Sequence, residues 1–482
     1  MSTSWSPYAD EAPPITYVRL SEVLAGLSYA LDLTEGQRPG HTVRSCVIGM
    51  RLAEVAGLSP ETRHSLFYAL LMKDLGCSSN AARFAALFGA DDHDLKTNLK
   101  MIDWSQALES FKYVAGNVAP GQFWLKRMWR MFAVFSRGPE GAREVVRTRC
   151  ERGADIARLL GFDDETVEAI RALDEHWNGR GQPYALKGDK IPQLARFLCL
   201  SQTFEVFFSS YGLSRAFDMA IARRGTWFDP ALVDVLRAMR KDTNFWERLA
   251  LGDEMQQLRA IEPPDRVQKA DDDRLDLVAE AFARVIDAKS PWTYQHSTGV
   301  ADIAIGIGRK MGLSTAALRV LRRAALLHDL GKLGVTSLIL DKPGKLTDHE
   351  FAIMHRHPLF THEILTQVGC FRDFADLAAA HHERLDGRGY HRQIAAAGLV
   401  LPARILCVAD ICDALRASRP YRPGLPVERV LAIMGRETGT GIDPECFAAL
   451  ESTIDRTPTV VPADVPAVRL VTALSEDFNQ AA

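Results

Sequence analysis

HSTGVADIAIGIGRKMGLS, residues 296–314, has an older-looking twin in HTVRSCVIGMRLAEVAGLS, residues 41–59. Both start at a histidine, keep apolar residues at helical spacing and end in Gly-Leu-Ser. The stretch ALLHDLGKLG, which begins at residue 325, answers ALLMKDLGCS, with the shared Asp-Leu-Gly at the same offset of 255 residues. Further along, DGRGYH answers NGRGQP, and ARILCVADICDA answers ARFLCLSQTFEV, now at an offset of 208. The offsets differ by 47, which places an insertion of about that length near residues 84–140 of the first half. Two copies of one helical unit therefore account for most of the chain.

Composition agrees with that division. A chain of 482 residues exceeds one ordinary core, so two large domains are expected. The formal charge of −3 supplies no basic field for long nucleic acid or an anionic membrane. Eight cysteines without a CxxC pair, several inside apolar runs, read as buried reduced thiols, and the N-terminus lacks the pattern of a signal peptide. With no apolar run long enough to span a bilayer, a cytoplasmic location is expected.

Period-2 alternation with hairpin turns is absent, so the fold expectation is all-α, in two tandem domains. The expected boundaries are a flexible arm over 1–15, a first domain over 16–260, a linker over the Pro-Pro and charge-rich 261–274, a second domain over 275–460, and a tail over 461–482.

The copies part company where chemistry would sit. Nine of the thirteen histidines fall between 296 and 391. His296 keeps its partner His41, and Asp329 keeps Asp74. His328 becomes Lys73, His357 becomes Arg149, His381 and His382 become Leu173 and Asp174, Asp410 becomes Gln202, and Lys332 becomes Cys77. The first copy reads as one that kept the fold and lost the site.

His296, His328, Asp329, His357, His381, His382 and Asp410 offer five imidazoles and two carboxylates without a thiolate, a set that suits Mn, Fe or Zn. Neighbouring helical side chains diverge by about 100°, so His381 and His382 more easily serve two metal positions than one. Asp329 between two ions would bridge them, and two divalent ions roughly 3.5–4 Å apart suit attack of an activated hydroxide on a phosphodiester. Lys332 is placed to neutralise phosphate charge. Alone, His296 would read as a polar residue at the core edge. Asp410, inside the apolar run ILCVADICDAL, needs a metal or a hydrogen-bonded partner. His349, His355 and His362 read as exposed helix histidines, and Cys407 and Cys412 as packing residues.

At these residues a resemblance enters. HDLGKLGV, ILDKPGKLTDHE, MHRHP, HHERLDGRGY, VADICDAL and SRPYR follow the order and spacing of the HD-GYP family of HD-domain metal-dependent phosphohydrolases, and the first half resembles a degenerate member. The resemblance implies two helical HD-type domains and an enzyme that hydrolyses a cyclic dinucleotide, with cyclic di-GMP ahead of the mixed GMP-AMP dinucleotide. It implies that the seven residues above are metal ligands, with Asp329 and Lys332 at the reacting phosphate. Asp386, Gly387, Tyr390, Arg419 and Arg422 would hold the nucleotide, since guanidinium groups grip phosphate and stack on purines.

Two departures stand out. His391 takes the place of the motif's proline, which loosens the loop without removing a ligand. Trp292 stands four residues before His296, where three-metal members carry glutamate, so two divalent ions, Fe or Mn with Zn admitted, are expected. Three alternatives stand beside this reading. One is hydrolysis of another nucleotide or phosphoester. Another is a non-enzymatic module that binds a cyclic dinucleotide or a signalling protein such as a diguanylate cyclase. The last is a partner surface on the aromatic insertion, ranked lowest because its Phe, Tyr and Trp residues are expected in the core before an interface. A homodimer is left open.

Overall fold

The computed structural model describes residues 17–104, 106–136, 138–293, 295–417 and 424–454. Arg419 and Arg422, the 1–15 arm and the 461–482 tail lie outside the described residues. Among the described residues, β structure amounts to two strands of two residues each, Val18–Arg19 and Lys269–Ala270, and three isolated bridges, so the fold is all-α as expected. No helix there is long and apolar enough to cross a membrane.

The chain divides into two compact units. Among the described residues, one is Arg19–Lys269, and the other is 270–454 together with Tyr17 and Val18. The first unit holds α1 (Leu20–Thr34), α2 (His41–Val55), α3 (Pro60–Met72), α4 (Ala81–Phe88), α5 (Asp92–Met101), α6 (Ala107–Asn117), α7 (Trp124–Ser136), α8 (Gly138–Leu159), α9 (Asp164–Arg171), α10 (Gln193–Tyr211), α11 (Leu213–Ala222), α12 (Pro230–Met239), α13 (Thr243–Leu251) and α14 (Glu254–Ile261). The second holds α15 (Asp272–Asp287), α16 (His296–Lys310), α17 (Thr315–Leu327), α18 (Ser337–Leu340), α19 (Asp348–Met354), α20 (His357–Gln367), α21 (Arg372–Ala379), α22 (Leu401–Arg416), α23 (Val427–Met434) and α24 (Pro444–Thr453). The stretch 261–274 contains a tight 3-10 turn at Pro264–Arg266, and α15 already starts at Asp272.

The repeat is visible in the caps as well as the helices. The α2/α16 and α3/α17 pairs match residue for residue at the offset of 255. Ser59 and Ser314 each accept a hydrogen bond from the backbone amide three residues on, Thr62 and Ala317, and so start α3 and α17. Gly57 and Gly312, at φ +74° and +78°, close α2 and α16 in the left-handed conformation that favours glycine. Each unit packs its α2-type helix against the following α3-type helix and against α10 or α22, and the apolar stripes of those helices form the core. The insertion adds α4 to α7, whose inner side is a separate cluster of Phe88, Leu95, Tyr113, Val114 and Val118.

Candidate active site

Five elements of the second unit bring the histidines together. His296 is the first residue of α16, His328 and Asp329 follow the last turn of α17, His357 opens α20, His381 and His382 follow α21, and Asp410 lies within α22. The tight turn Leu330–Gly334 presses against the start of α20, where a Cβ on Gly331 would lie 2.0 Å from the His357 carbonyl oxygen. Thr361 fastens the same junction: its hydroxyl donates to the His328 carbonyl at 2.8 Å and accepts from the Gly331 amide at 2.9 Å.

Asp329 stands between two sets of donors, one on each carboxylate oxygen. Its Oδ2 faces His296 Nε2 at 3.5 Å and His328 Nε2 at 3.3 Å, and these two rings face Asp410 Oδ1 at 3.3 and 3.7 Å. Its Oδ1 faces His357 Nε2 at 3.4 Å and His381 Nε2 at 3.7 Å. His382 completes the second set, with ligand atoms of His357, His381 and His382 all within 4.8 Å of one another; the two adjacent histidines thus share one set instead of serving two positions as expected, because both lie in the turn after α21 and not on a regular helix. Lys332 Nζ donates to Asp329 Oδ2 at 2.5 Å.

The rings are oriented for coordination. His328, His357 and His381 each donate Nδ1–H to the carbonyl three residues earlier, Ala325, Met354 and Ala378, at 2.7 Å in every case. His296 Nδ1 is held by Asp413 Oδ2 at 2.6 Å. Fixing Nδ1 in this way aims Nε2 inward, the orientation of metal-bound imidazoles. His328 Nε2 and Asp329 Oδ1 are buried without a hydrogen-bond partner, a costly state that a cation would relieve. The residues therefore fit divalent metal ions.

Electrostatics divide the site in the same way. Burial pushes the His357 and His381 imidazoles down to about 3 and 4, so both are neutral and able to ligate. Burial also works against charge on His328, but the Asp329 and Asp410 carboxylates outweigh it and raise the ring to about 9. For Asp329, burial favours the neutral acid, yet His328 and Lys332 beside it hold the carboxyl well below its usual range.

The expected nucleotide-side residues fare differently. Tyr390 is half-buried, its ring 4.5 Å from that of His382 and stacked on His355 at 3.6 Å between centroids. His355 is thus half-buried rather than the exposed helix histidine the sequence suggested; His362 is half-buried too and pairs with Asp376 at 2.9 Å, while His349 is exposed. Asp386 accepts from Arg384 Nε at 3.1 Å and from the Arg388 amide at 3.0 Å, and Gly387 follows at φ +73°, so both shape the loop. Glu383, which sequence reasoning passed over, ties that loop down by accepting from the Arg392 and Ile394 amides at 2.6 and 3.0 Å. Glu175 does the same for Tyr184 and Leu186 in the first unit. Asp413 was also missed, although it lies one helical turn after Asp410 and its counterpart Glu205 holds His41 in the same way. Cys407 and Cys412 are buried free thiols, as expected of packing residues.

In the first unit, protein cations occupy the corresponding positions. The Lys73 ammonium is buried between the Asp74 carboxylate and His41 Nε2, the latter at 3.1 Å. Arg149 pairs with Asp174. From the insertion, α5 sends Lys96 to the Cys77 carbonyl at 2.7 Å and Lys100 to Glu35 at 2.7 Å. Glu35, Asp74 and Cys77 cluster closely enough to hold an ion, but these lysines already neutralise the acids.

The HD domain family profile matches residues 140–232 and 280–446. The chain is 42% identical over 439 residues, 91% of its own length and 95% of the relative's, to the 3'3'-cGAMP-specific phosphodiesterase 3 of Vibrio cholerae serotype O1. It is 36% identical over 176 residues, 35% of this chain and 45% of the relative, to a cyclic di-GMP phosphodiesterase response regulator of Xanthomonas campestris pv. campestris. Among solved structures, a cyclic GMP-AMP specific phosphodiesterase of V. cholerae superposes with a TM-score of 0.62 at 38% identity, covering 91% of this chain and 98% of that one. The chain belongs to the HD-GYP family of HD-domain metal-dependent phosphohydrolases.

Proposed function

We propose that the second unit hydrolyses a cyclic dinucleotide, with 3'3'-cGAMP ahead of cyclic di-GMP. The observation that carries the hydrolytic site is the Asp329 carboxylate, each oxygen of which faces its own set of imidazoles. His296, His328 and Asp410 would hold one divalent ion and His357, His381 and His382 the other, with Asp329 between them. Nitrogen and oxygen donors without thiolate favour Fe or Mn, with Zn admitted. Bound there, divalent ions supply Lewis acidity toward a phosphate oxygen and lower the pKa of water.

The chain's own residues do the rest. Carbonyls and Asp413 keep the imidazoles in the ligating tautomer, and Lys332 sets an ammonium beside Asp329, where it would offset phosphate charge. Tyr390, stacked on His355 beside His382, would present an aromatic edge to a base. The first unit, without the histidine set, would stabilise or regulate the second.

Cyclic di-GMP led in the sequence reading. The relative that spans nearly the whole chain acts on the mixed dinucleotide, and that supports the reversed order. The test is product analysis after anaerobic reconstitution with Fe(II) or Mn(II), with both dinucleotides offered. Faster turnover of 3'3'-cGAMP, lost in the His381→Ala/Asp410→Ala protein, is expected. Turnover of neither dinucleotide by a metal-loaded chain overturns the substrate reading.

A further inference from the structure

The sequence ranked the insertion's aromatic residues as core before surface, and the structure reverses that order for α7, which contributes no buried residue. Leu108 and Phe111 on α6, with Trp124, Met128, Phe132 and Phe135 on α7, are 45–71% exposed. The four from α7 recur at helical spacing along one face, and Phe111 stacks on Phe135 with centroids 5.7 Å apart. Met131 and Val134 of α7 pack against the Phe88 and Tyr113 cluster and fasten the helix to the insertion.

At 150–250 Å² per aromatic side chain, those six residues expose roughly 700 Å² of apolar surface. A typical monomer's largest patch is about 300–600 Å². A standard interface buries about 800 Å² per partner, so the patch matches one side of a stable dimer.

Charge narrows the occupant. The described part of α7 has no acidic residue. Arg130 donates to the Ala86 carbonyl at 2.8 Å and Arg127 to that of Ala115, which leaves Lys126 as the exposed base of this helix. An anionic lipid surface or an acidic partner would call for a cluster of outward bases. A face laid against itself about a twofold axis needs only the absence of opposed like charges, and the stripe supplies that.

We propose that the α6–α7 face is the surface on which a second copy of this chain docks, the two α7 helices packing about a twofold axis. Sedimentation velocity of the full chain over a range of micromolar concentrations tests it, beside a Trp124→Glu/Phe132→Glu protein whose helix content is checked by circular dichroism. The expected result is a wild-type mass of twice the 53.4 kDa chain that falls to one chain in the folded variant. A wild-type protein that stays monomeric, or a variant that stays dimeric, overturns the proposal. So does a monomer that co-sediments with phosphatidylglycerol vesicles through these residues, because the face would then belong to a lipid surface.

Discussion

Replacing Lys73 by methionine keeps most of the stem's packing and removes the one ammonium between Asp74 and His41. Both members of the Lys73–Asp74 pair are fully buried, so the variant must either leave a bare carboxylate inside the first unit or protonate it. Breaking a buried ion pair by removing one partner costs about 3–5 kcal/mol. Protonation is the alternative, and from the ordinary aspartate value to pH 7 it costs about 4 kcal/mol at 1.36 kcal/mol per unit. The two routes agree on a loss of about 4 kcal/mol at pH 7. Six of the eight tryptophans lie between residues 104 and 246, so denaturant titration followed by tryptophan fluorescence reports on the first unit. At pH 5 the protonation route costs only about 1.5 kcal/mol, and the deficit should shrink accordingly. A loss below about 1 kcal/mol at pH 7 would refute the view of Lys73 as the internal cation of this centre. An equal deficit at both pH values would assign the effect to packing.

Asp413→Ala removes the carboxylate that orients His296 without deleting a ligand; Mn(II) affinity by competition titration should fall about 10–100-fold with the fold retained. His176 is stacked on Trp227, and burial holds it neutral with its pKa lowered to about 3. Since the unfolded chain takes up a proton near pH 6.5 and the folded chain does not, stability falls as pH drops below 6.5 and continues to fall toward 3. Between pH 7 and 5 the first unit should lose about 2 kcal/mol by denaturant titration, a loss that His176→Phe should remove.

The tandem fold was legible because the capping serines, closing glycines and apolar helix positions recur at fixed offsets. The histidine cluster was legible because the two copies differ at those positions. Periodicity carries no information on which oxygen of Asp329 faces which ring, since that depends on where α16, α17, α20 and the α21 end meet in space. Lys96 and Lys100 were illegible for a different reason: they belong to an insertion without a counterpart to align against. The α7 face was misread because aromatic residues in a helical pattern favour the core on average, and burial depends on whether a neighbouring element covers them. His355 was misjudged for the converse reason, a ring from the distant loop at Tyr390 lying across it.

Metal content tests the central claim, that the metal centre belongs to the second unit alone. Wild-type chain reconstituted with Mn(II) and the His381→Ala/Asp410→Ala chain treated identically would be freed of loose ions and measured by mass spectrometry. The account predicts two ions per wild-type chain and a loss of at least one in the variant, with activity abolished. More than two tightly held ions in the wild type, or an undiminished count in the variant, would contradict the account.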